Sequence, residues 1–241
     1  MKTYAIGDIH GGLKALEQLL GRIPIAAEDT LVFLGDYVDG WSDAANTVEY
    51  LIEFSEKHHC IFIRGNHDYL LSQHLKVHSN NPLWLASGGE MTKANYSDKS
   101  AAYKTKHIEF LDQLVNYWID KDNRLFVHAG FTNPHGPEHE YYPNMVYWDR
   151  TLWETACGLD PNMPQDHPRY PKRLTLFKEI YIGHTPVTKI GESEVVNCAN
   201  VWNIDTAAAY KGPLTAIDVA TKTIYHSDPV WQLYPDESGR N

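Results

Sequence analysis

Cysteine is scarce and unpatterned: Cys60, Cys157 and Cys198 are an odd number with no CxxC spacing, which excludes a disulfide framework and a zinc ribbon. They read as small buried hydrophobes. No run approaches the ~20 apolar residues of a membrane span. The opening MKTYAIGDIHGG reaches Asp8 and His10 without the apolar stretch or cleavage site of a signal peptide. The expectation is a soluble, cytoplasmic protein with no membrane partner. Basic charge is short as well. The chain has 21 Lys and Arg against 31 Asp and Glu, a net charge of -10 that repels nucleic-acid backbones, so no nucleic-acid partner is expected. Internal repeats, low-complexity tracts and an interdomain linker are missing too.

What is present is apolar mass and histidine. Of 241 residues, 43% are hydrophobic and 12% aromatic, enough for one sizeable core, and the chain reads as a single domain over residues 1–241. Histidine occurs 13 times, more than packing needs in an acidic chain.

Five short apolar runs have the length and β-branched or aromatic content of buried strands: Thr3–Ile6, Leu31–Leu34, Cys60–Ile63, Leu125–Val127 and Glu179–Ile182. Between the first two, Leu13, Leu16, Leu19, Leu20 and Ile23 recur at helical spacing. Between the second and third, Val48, Leu51, Ile52 and Phe54 do the same behind Ser42 and Asp43 as an N-cap signal. This β-α-β-α-β alternation predicts an α/β fold with a parallel sheet, whose ligands sit at the carboxyl ends of the strands. Residues 67–123 read as a helical insertion, with Phe110, Leu111, Leu114, Val115 and Trp118 at helical spacing. Residues 132–174 hold seven of the 13 prolines and read as a functional loop. Strand texture returns at Val201–Ile204, Leu214–Val219 and Thr223–His226, which suggests a second sheet packed on the first and a closing hairpin.

Each of the five runs is followed by metal-capable residues beside glycine: Gly7-Asp8-Ile9-His10-Gly11, Gly35-Asp36-Tyr37-Val38-Asp39, Arg64-Gly65-Asn66-His67-Asp68, His128-Ala129-Gly130 and Gly183-His184-Thr185. Taken singly, any of them could be structural; Asp39 could cap the following helix and Arg64 could be a surface ion-pair partner. Five in order at predicted strand ends point to side chains converging on one place. Carboxylate, imidazole and amide carbonyl, without thiolate, suit a borderline-hard divalent ion.

These ordered motifs resemble the calcineurin-like metallophosphoesterase superfamily, specifically the phosphoprotein phosphatase family of serine/threonine phosphatases with its small bacterial and phage members. The likeness runs from Gly7 through Thr185. It implies a two-sheet αβββα-type sandwich and two divalent metal ions, Mn foremost, with Fe, Zn or Co tolerated. Asp8 and His10 would hold one ion, Asn66, His128 and His184 the other, and Asp36 both. Such a pair acidifies a shared water for in-line attack on a phosphoryl group. His67 matches the general acid and Asp39 the carboxylate that orients it. Arg64 matches a phosphate-binding arginine, and Arg150, in Tyr147-Trp148-Asp149-Arg150, looks like a second one with Arg124, Arg169 and Arg173 as rivals.

The implied activity is hydrolysis of phosphoserine or phosphothreonine, with phosphotyrosine also open, so the partner would be a phosphoprotein or a small phosphate ester. The alternative is a symmetrical diadenosine tetraphosphate hydrolase, a family with similar motifs. A catalytically silent metal-stabilised scaffold and a nuclease are further readings, disfavoured by the His67 and Asp39 pair and by the acidic charge. One departure stands out. The family continues from its second aspartate with Arg-Gly, whereas here Asp39 is followed by Gly40 and Trp41. A guanidinium contact to the phosphate is therefore missing from that position. The remaining histidines (58, 59, 74, 78, 107, 135, 139, 167 and 226) read as surface or loop residues, and Trp41, Trp84, Trp118, Trp148 and Trp153 as core.

Overall fold

The computed structural model describes residues 1–240. Strand and helix alternate as the apolar runs predict, through β1 (Thr3–Ile6), α1 (Leu13–Arg22), β2 (Thr30–Phe33), α2 (Ala44–Ser55) and β3 (His59–Phe62). The three strands pair in parallel because a crossover helix separates each from the next. Asp43 is the N-cap of α2, but its carboxylate does not bond the helix backbone. Its two oxygens accept from the Asn46 amide at 3.1 Å and the Tyr234 hydroxyl at 2.7 Å instead.

Residues 66–113 are helical: α3 (Asn66–Val77), α4 (Pro82–Trp84), a wide turn at Leu85–Gly89, α5 (Glu90–Ser97) and α6 (Ala101–Gln113). The predicted helical stretch stops there. Leu114 turns extended, Val115 exchanges backbone hydrogen bonds with the chain around Phe62 and Arg64, and Trp118 lies in β4 (Tyr117–Ile119). Sheet pairing overrides the helical spacing of those apolar residues.

The second sheet comprises β4, β5 (Arg124–Val127), β6 (Glu179–Ile182), β7 (Val196–Cys198) and β8 (Val201–Asn203), in the order β4-β5-β6-β8-β7. The closing hairpin, β9 (Pro213–Asp218) and β10 (Ile224–Pro229), does not belong to it. It lies along the free edge of β1 and completes the first sheet, β10-β9-β1-β2-β3. Pairing there removes an exposed sheet edge. The Pro-rich segment contains α7 (Thr151–Cys157) and short tight turns, and α8 (Val230–Leu233) follows the hairpin.

Side chains alternate across the strands, so each sheet has an inner and an outer face. Ala5, Val32, Phe126 and Tyr181 fill the layer between the sheets, with Phe126 and Tyr181 stacked at 4.9 Å. Tyr4, Ile6, Leu31 and Phe33 pack outward under the helices of the first half. Leu125, Val127, Ile180 and Ile182 pack outward against α7. This is the α/β two-sheet sandwich expected from the motifs. The three cysteines are free and half-buried rather than buried. His107, expected at the surface, is buried between the Tyr96 hydroxyl at 2.7 Å and the Glu49 carboxylate at 2.8 Å. Among the described residues no helix is long and apolar enough to cross a membrane.

Candidate metal centre

The loops after β1, β2, β5 and β6 carry Asp8 and His10, Asp36 and Asp39, His128, and His184, and the first turn of α3 carries Asn66 and His67, all buried or nearly so. Sharp turns aim them at one another. His10, Asp36, Asp39 and His184 all have positive φ, between +52° and +70°. Left-handed backbone at a non-glycine residue costs roughly 1–3 kcal/mol and persists only where the surroundings enforce it. Two glycines allow the close approach. A Cβ on Gly183 would collide with Asp8 Oδ1, and one on Gly65 with Asp36 Oδ1.

Asp36 sits at the middle. Its carboxylate belongs to one cluster with His10 and His67 and to another with His128 and His184, ligand-capable atoms in each lying within 4.8 Å of one another. His10 Nε2 is 3.8 Å from both Asp8 Oδ2 and Asp36 Oδ2, and His128 Nε2 is 3.3 Å from Asp36 Oδ2. Asn66 Oδ1 lies 3.2 Å from His128 Nε2 and 2.9 Å from His184 Nδ1. The rings are oriented from behind. His10 Nδ1 donates to the Asp39 carbonyl at 2.8 Å and His128 Nδ1 to the Leu34 carbonyl at 2.8 Å. That turns each Nε2 toward the cluster, the usual outer support of a metal-ligating histidine.

Charge is concentrated here. Burial pushes the Asp36 carboxyl up, but the His128, His67 and His10 rings outweigh it and hold it well below the usual carboxylate range. Burial pulls His128 down, yet Asp36 and Asp8 raise it to about 10. His184, buried beside His128, is held well below its ordinary value and stays neutral. Among the described residues, Asp8 Oδ1, Asp39 Oδ1 and His184 Nε2 are buried without a hydrogen-bond partner. Buried carboxylate oxygens without a partner, beside two groups of Asp and His ligand atoms that share Asp36, fit divalent cations.

His67 and Asp39 form the second feature. His67 Nδ1 lies 2.6 Å from Asp39 Oδ2, and the indole nitrogen of Trp84 donates to the same oxygen at 2.6 Å. His67 borders a cavity of about 480 Å³, together with His10, Asp36, Asn66 and His184. Arg150 also lines the cavity. Two of its rivals are engaged elsewhere: Arg124 with Asp120 and Asp122, and Arg173 with the Phe131 carbonyl and Thr151. Arg64 is not among the lining residues. Its Nη2 donates to the Leu111 and Leu114 carbonyls at the end of α6.

Several participants were not singled out from sequence. Asp68 accepts from the backbone N–H groups of Gly65, Asp36 and Tyr37 at 2.8 to 2.9 Å, locking the β2 and β3 loops together. Burial and the Asp36 charge push it up to about 7. Asp205 follows β8 as the other motifs follow their strands, which was its available signal. It is buried on the cavity wall and is pushed up to about 8 by burial and by Asp8. The outer wall carries Trp148, 40% exposed rather than core, with Tyr210, Lys189 and Arg240.

Two packed sheets presenting Asp, His and Asn at their strand ends beside an open cavity define a metallophosphoesterase. The chain belongs to the calcineurin-like phosphoesterase family, which matches residues 1–210, and that family is a hydrolase family working with a dinuclear divalent metal centre. Its relatives sharpen the comparison. It is 28% identical over 236 residues to the asymmetrical bis(5'-nucleosyl)-tetraphosphatase PrpE of Oceanobacillus iheyensis, covering 90% of this chain and 88% of that one. It is 31% identical over 135 residues to the symmetrical bis(5'-nucleosyl)-tetraphosphatase of Pseudomonas fluorescens, covering 54% of this chain and 43% of the other. In structure it resembles a protein serine/threonine phosphatase of Saccharomyces cerevisiae, with a TM-score of 0.60 at 15% identity, covering 95% of this chain and 80% of that one. At that identity the likeness is one of fold.

Proposed function

We propose that the protein hydrolyses dinucleoside tetraphosphates, with asymmetric cleavage to a nucleoside triphosphate and a nucleoside monophosphate. The observation that carries this reading is the cavity wall. Arg150, Lys189 and Arg240 line the cavity, and among the described residues none of the three makes an ion pair. In a chain of net charge -10, unpaired cations around one cavity suit a polyanionic substrate. The half-exposed Trp148 and Tyr210 beside them suit nucleobase stacking. A relative matched over nearly its whole length is an asymmetrical tetraphosphatase. The serine/threonine phosphatase expectation rests on motifs that both kinds of enzyme share, and the cavity wall favours the dinucleotide.

In this reading Asp8, His10, Asp36, Asn66, His128 and His184 would hold two divalent ions, with Asp36 the carboxylate common to both groups of ligand atoms. When bound, such ions neutralise phosphoryl charge and activate water for in-line attack. His67 Nε2 gives its proton to the leaving oxygen while Nδ1 stays on Asp39, which fixes the tautomer and supports the imidazolium. Arg150 grips the phosphate chain, and Arg64 ties α6 to the β3 loop. The whole chain acts as a single unit around this site.

Chromatography of products from diadenosine tetraphosphate, with p-nitrophenyl phosphate and a phosphoserine peptide in parallel and Mn²⁺ restored after chelation, tests the proposal. ATP plus AMP is the expected result. Two ADP per substrate would assign symmetrical cleavage. Rapid release of phosphate from the peptide with an intact dinucleotide would restore the protein phosphatase.

A further inference from the structure

Gly40 stands where the resembled family carries arginine, and its backbone leaves little room for a side chain. At φ +151°, a Cβ there would lie 2.9 Å from the His10 carbonyl oxygen and 3.1 Å from His10 Cβ. The next nearest atom to that position is Cγ of Arg240, at 3.7 Å. An arginine 200 positions further along the chain thus runs past the place that Gly40 leaves open.

Its approach is built by the residue after Gly40. The Trp41 indole donates to the Ala208 carbonyl at 2.8 Å and stacks on Tyr234 at 5.4 Å. Gly239 (φ +61°) lies so close to the indole that a Cβ would come within 2.7 Å of Trp41 Cζ2. Glu237 accepts from the Ser42 N–H at 2.9 Å and from its hydroxyl at 2.5 Å, and Arg240 N–H donates to the Ala209 carbonyl at 2.9 Å. The segment 234–240 is therefore pinned to the β2 loop. Its last anchored residue lines the cavity that His10 and Asp36 border, with the guanidinium carbon 5.7 Å from the Tyr210 ring centre. No carboxylate among the described residues pairs with it.

We infer that Arg240 is a substrate-binding residue that grips the polyphosphate chain on the His10 side of the cluster, doing from the far end of the sequence what an arginine at position 40 would do. The ring of Tyr210 restrains the guanidinium before substrate arrives, so less freedom is lost on binding. Its planar fork suits paired phosphate oxygens. Trp41 then has a task beyond filling the core, as the post on which the arginine-bearing segment docks.

This inference rests on the phosphate-ester reading of the cavity, and its test uses inorganic tripolyphosphate so that no nucleotide specificity is assumed. Tripolyphosphate is titrated calorimetrically into the Mn²⁺-loaded His67→Asn protein, alone and combined with Arg240→Ala or Arg240→Lys. Loss of one charge-assisted contact weakens binding by about 10- to 100-fold in the alanine variant, with the lysine variant between, and Mn²⁺ affinity unchanged. Equal affinity in all three proteins would overturn the inference alone. A parallel loss of Mn²⁺ affinity would overturn it in favour of a structural role. No tripolyphosphate binding by the parent would instead sink the phosphate-ester reading itself.

Discussion

His67 Nδ1 and Asp39 Oδ2 lie 2.6 Å apart in a fully buried contact. The carboxylate accepts from Nδ1 and so leaves Nε2 as the ring nitrogen that faces the cavity, and the Trp84 indole fixes the carboxylate. Asp39→Asn and His67→Asn should each lower kcat on an alkyl phosphate by about 10² or more, the usual scale for losing a general acid or its orienter. On a dinucleoside tetraphosphate the leaving oxygen belongs to a phosphate whose pKa is about 6, so it needs little protonation. The His67→Asn penalty should be visibly smaller there. Steady-state kinetics of both variants on both substrates check this, and equal penalties would argue against proton donation by His67.

Among the described residues Asp36 is the carboxylate common to both ligand clusters. Asp36→Asn keeps the shape and removes the charge that draws His10, His67 and His128 together. Titration with Mn²⁺ should show both binding events weakened at least about 10-fold, on the scale of disturbed metal environments. Circular dichroism should stay unchanged. Selective loss of a single event would mean that Asp36 serves one ion only.

Asp68 accepts three backbone N–H groups from two loops. Truncation to alanine strands those donors in the interior at about 1–3 kcal/mol for each unsatisfied group. Urea unfolding of Asp68→Ala should lose a few kcal/mol by that rule, and turnover should fall because Asp36 and His67 ride on the loops it joins. A stable variant with normal turnover would show that water replaces the carboxylate without cost.

Away from the site, His107 is buried against Glu49 and Tyr96. Burial outweighs the Glu49 attraction and holds His107 below its ordinary 6.5, while Lys106 and His107 overcome burial to hold Glu49 below 4.5. Both shifts act in one direction. As pH falls below about 6.5 the unfolded chain takes up a proton at His107 that the native protein resists, and further acid removes what the Glu49 carboxylate contributes. Thermal unfolding from pH 7 to pH 4 should show wild type losing stability more steeply than His107→Gln. Parallel curves would refute the assignment.

The sequence by itself determined the strands and the residues at their ends. Thr3–Ile6 and Glu179–Ile182 form as read, and the other three runs differ by one residue or so. Short runs of β-branched, aromatic and leucine residues have few alternatives to a strand, and glycine beside Asp or His marks where the chain has to turn. The same local signals misled where pairing partners decide, as at Leu114 to Trp118, whose helical spacing gave way to β4, and at the closing hairpin, which joined the first sheet.

Only tertiary structure decided which polar residues share the cavity. Arg64 and Arg150 are both arginines within motifs, yet one is drawn to the carbonyls at the end of α6 and the other lies on the cavity wall with no ion pair among the described residues. Asp68, Asp205 and Arg240 reach the site through contacts between segments far apart in the chain. A side chain's neighbours depend on how helices, sheets and the last segment dock, and that docking is set by the summed burial of many residues. Strand ends are local consequences of sequence; the company they keep is a property of the packed whole.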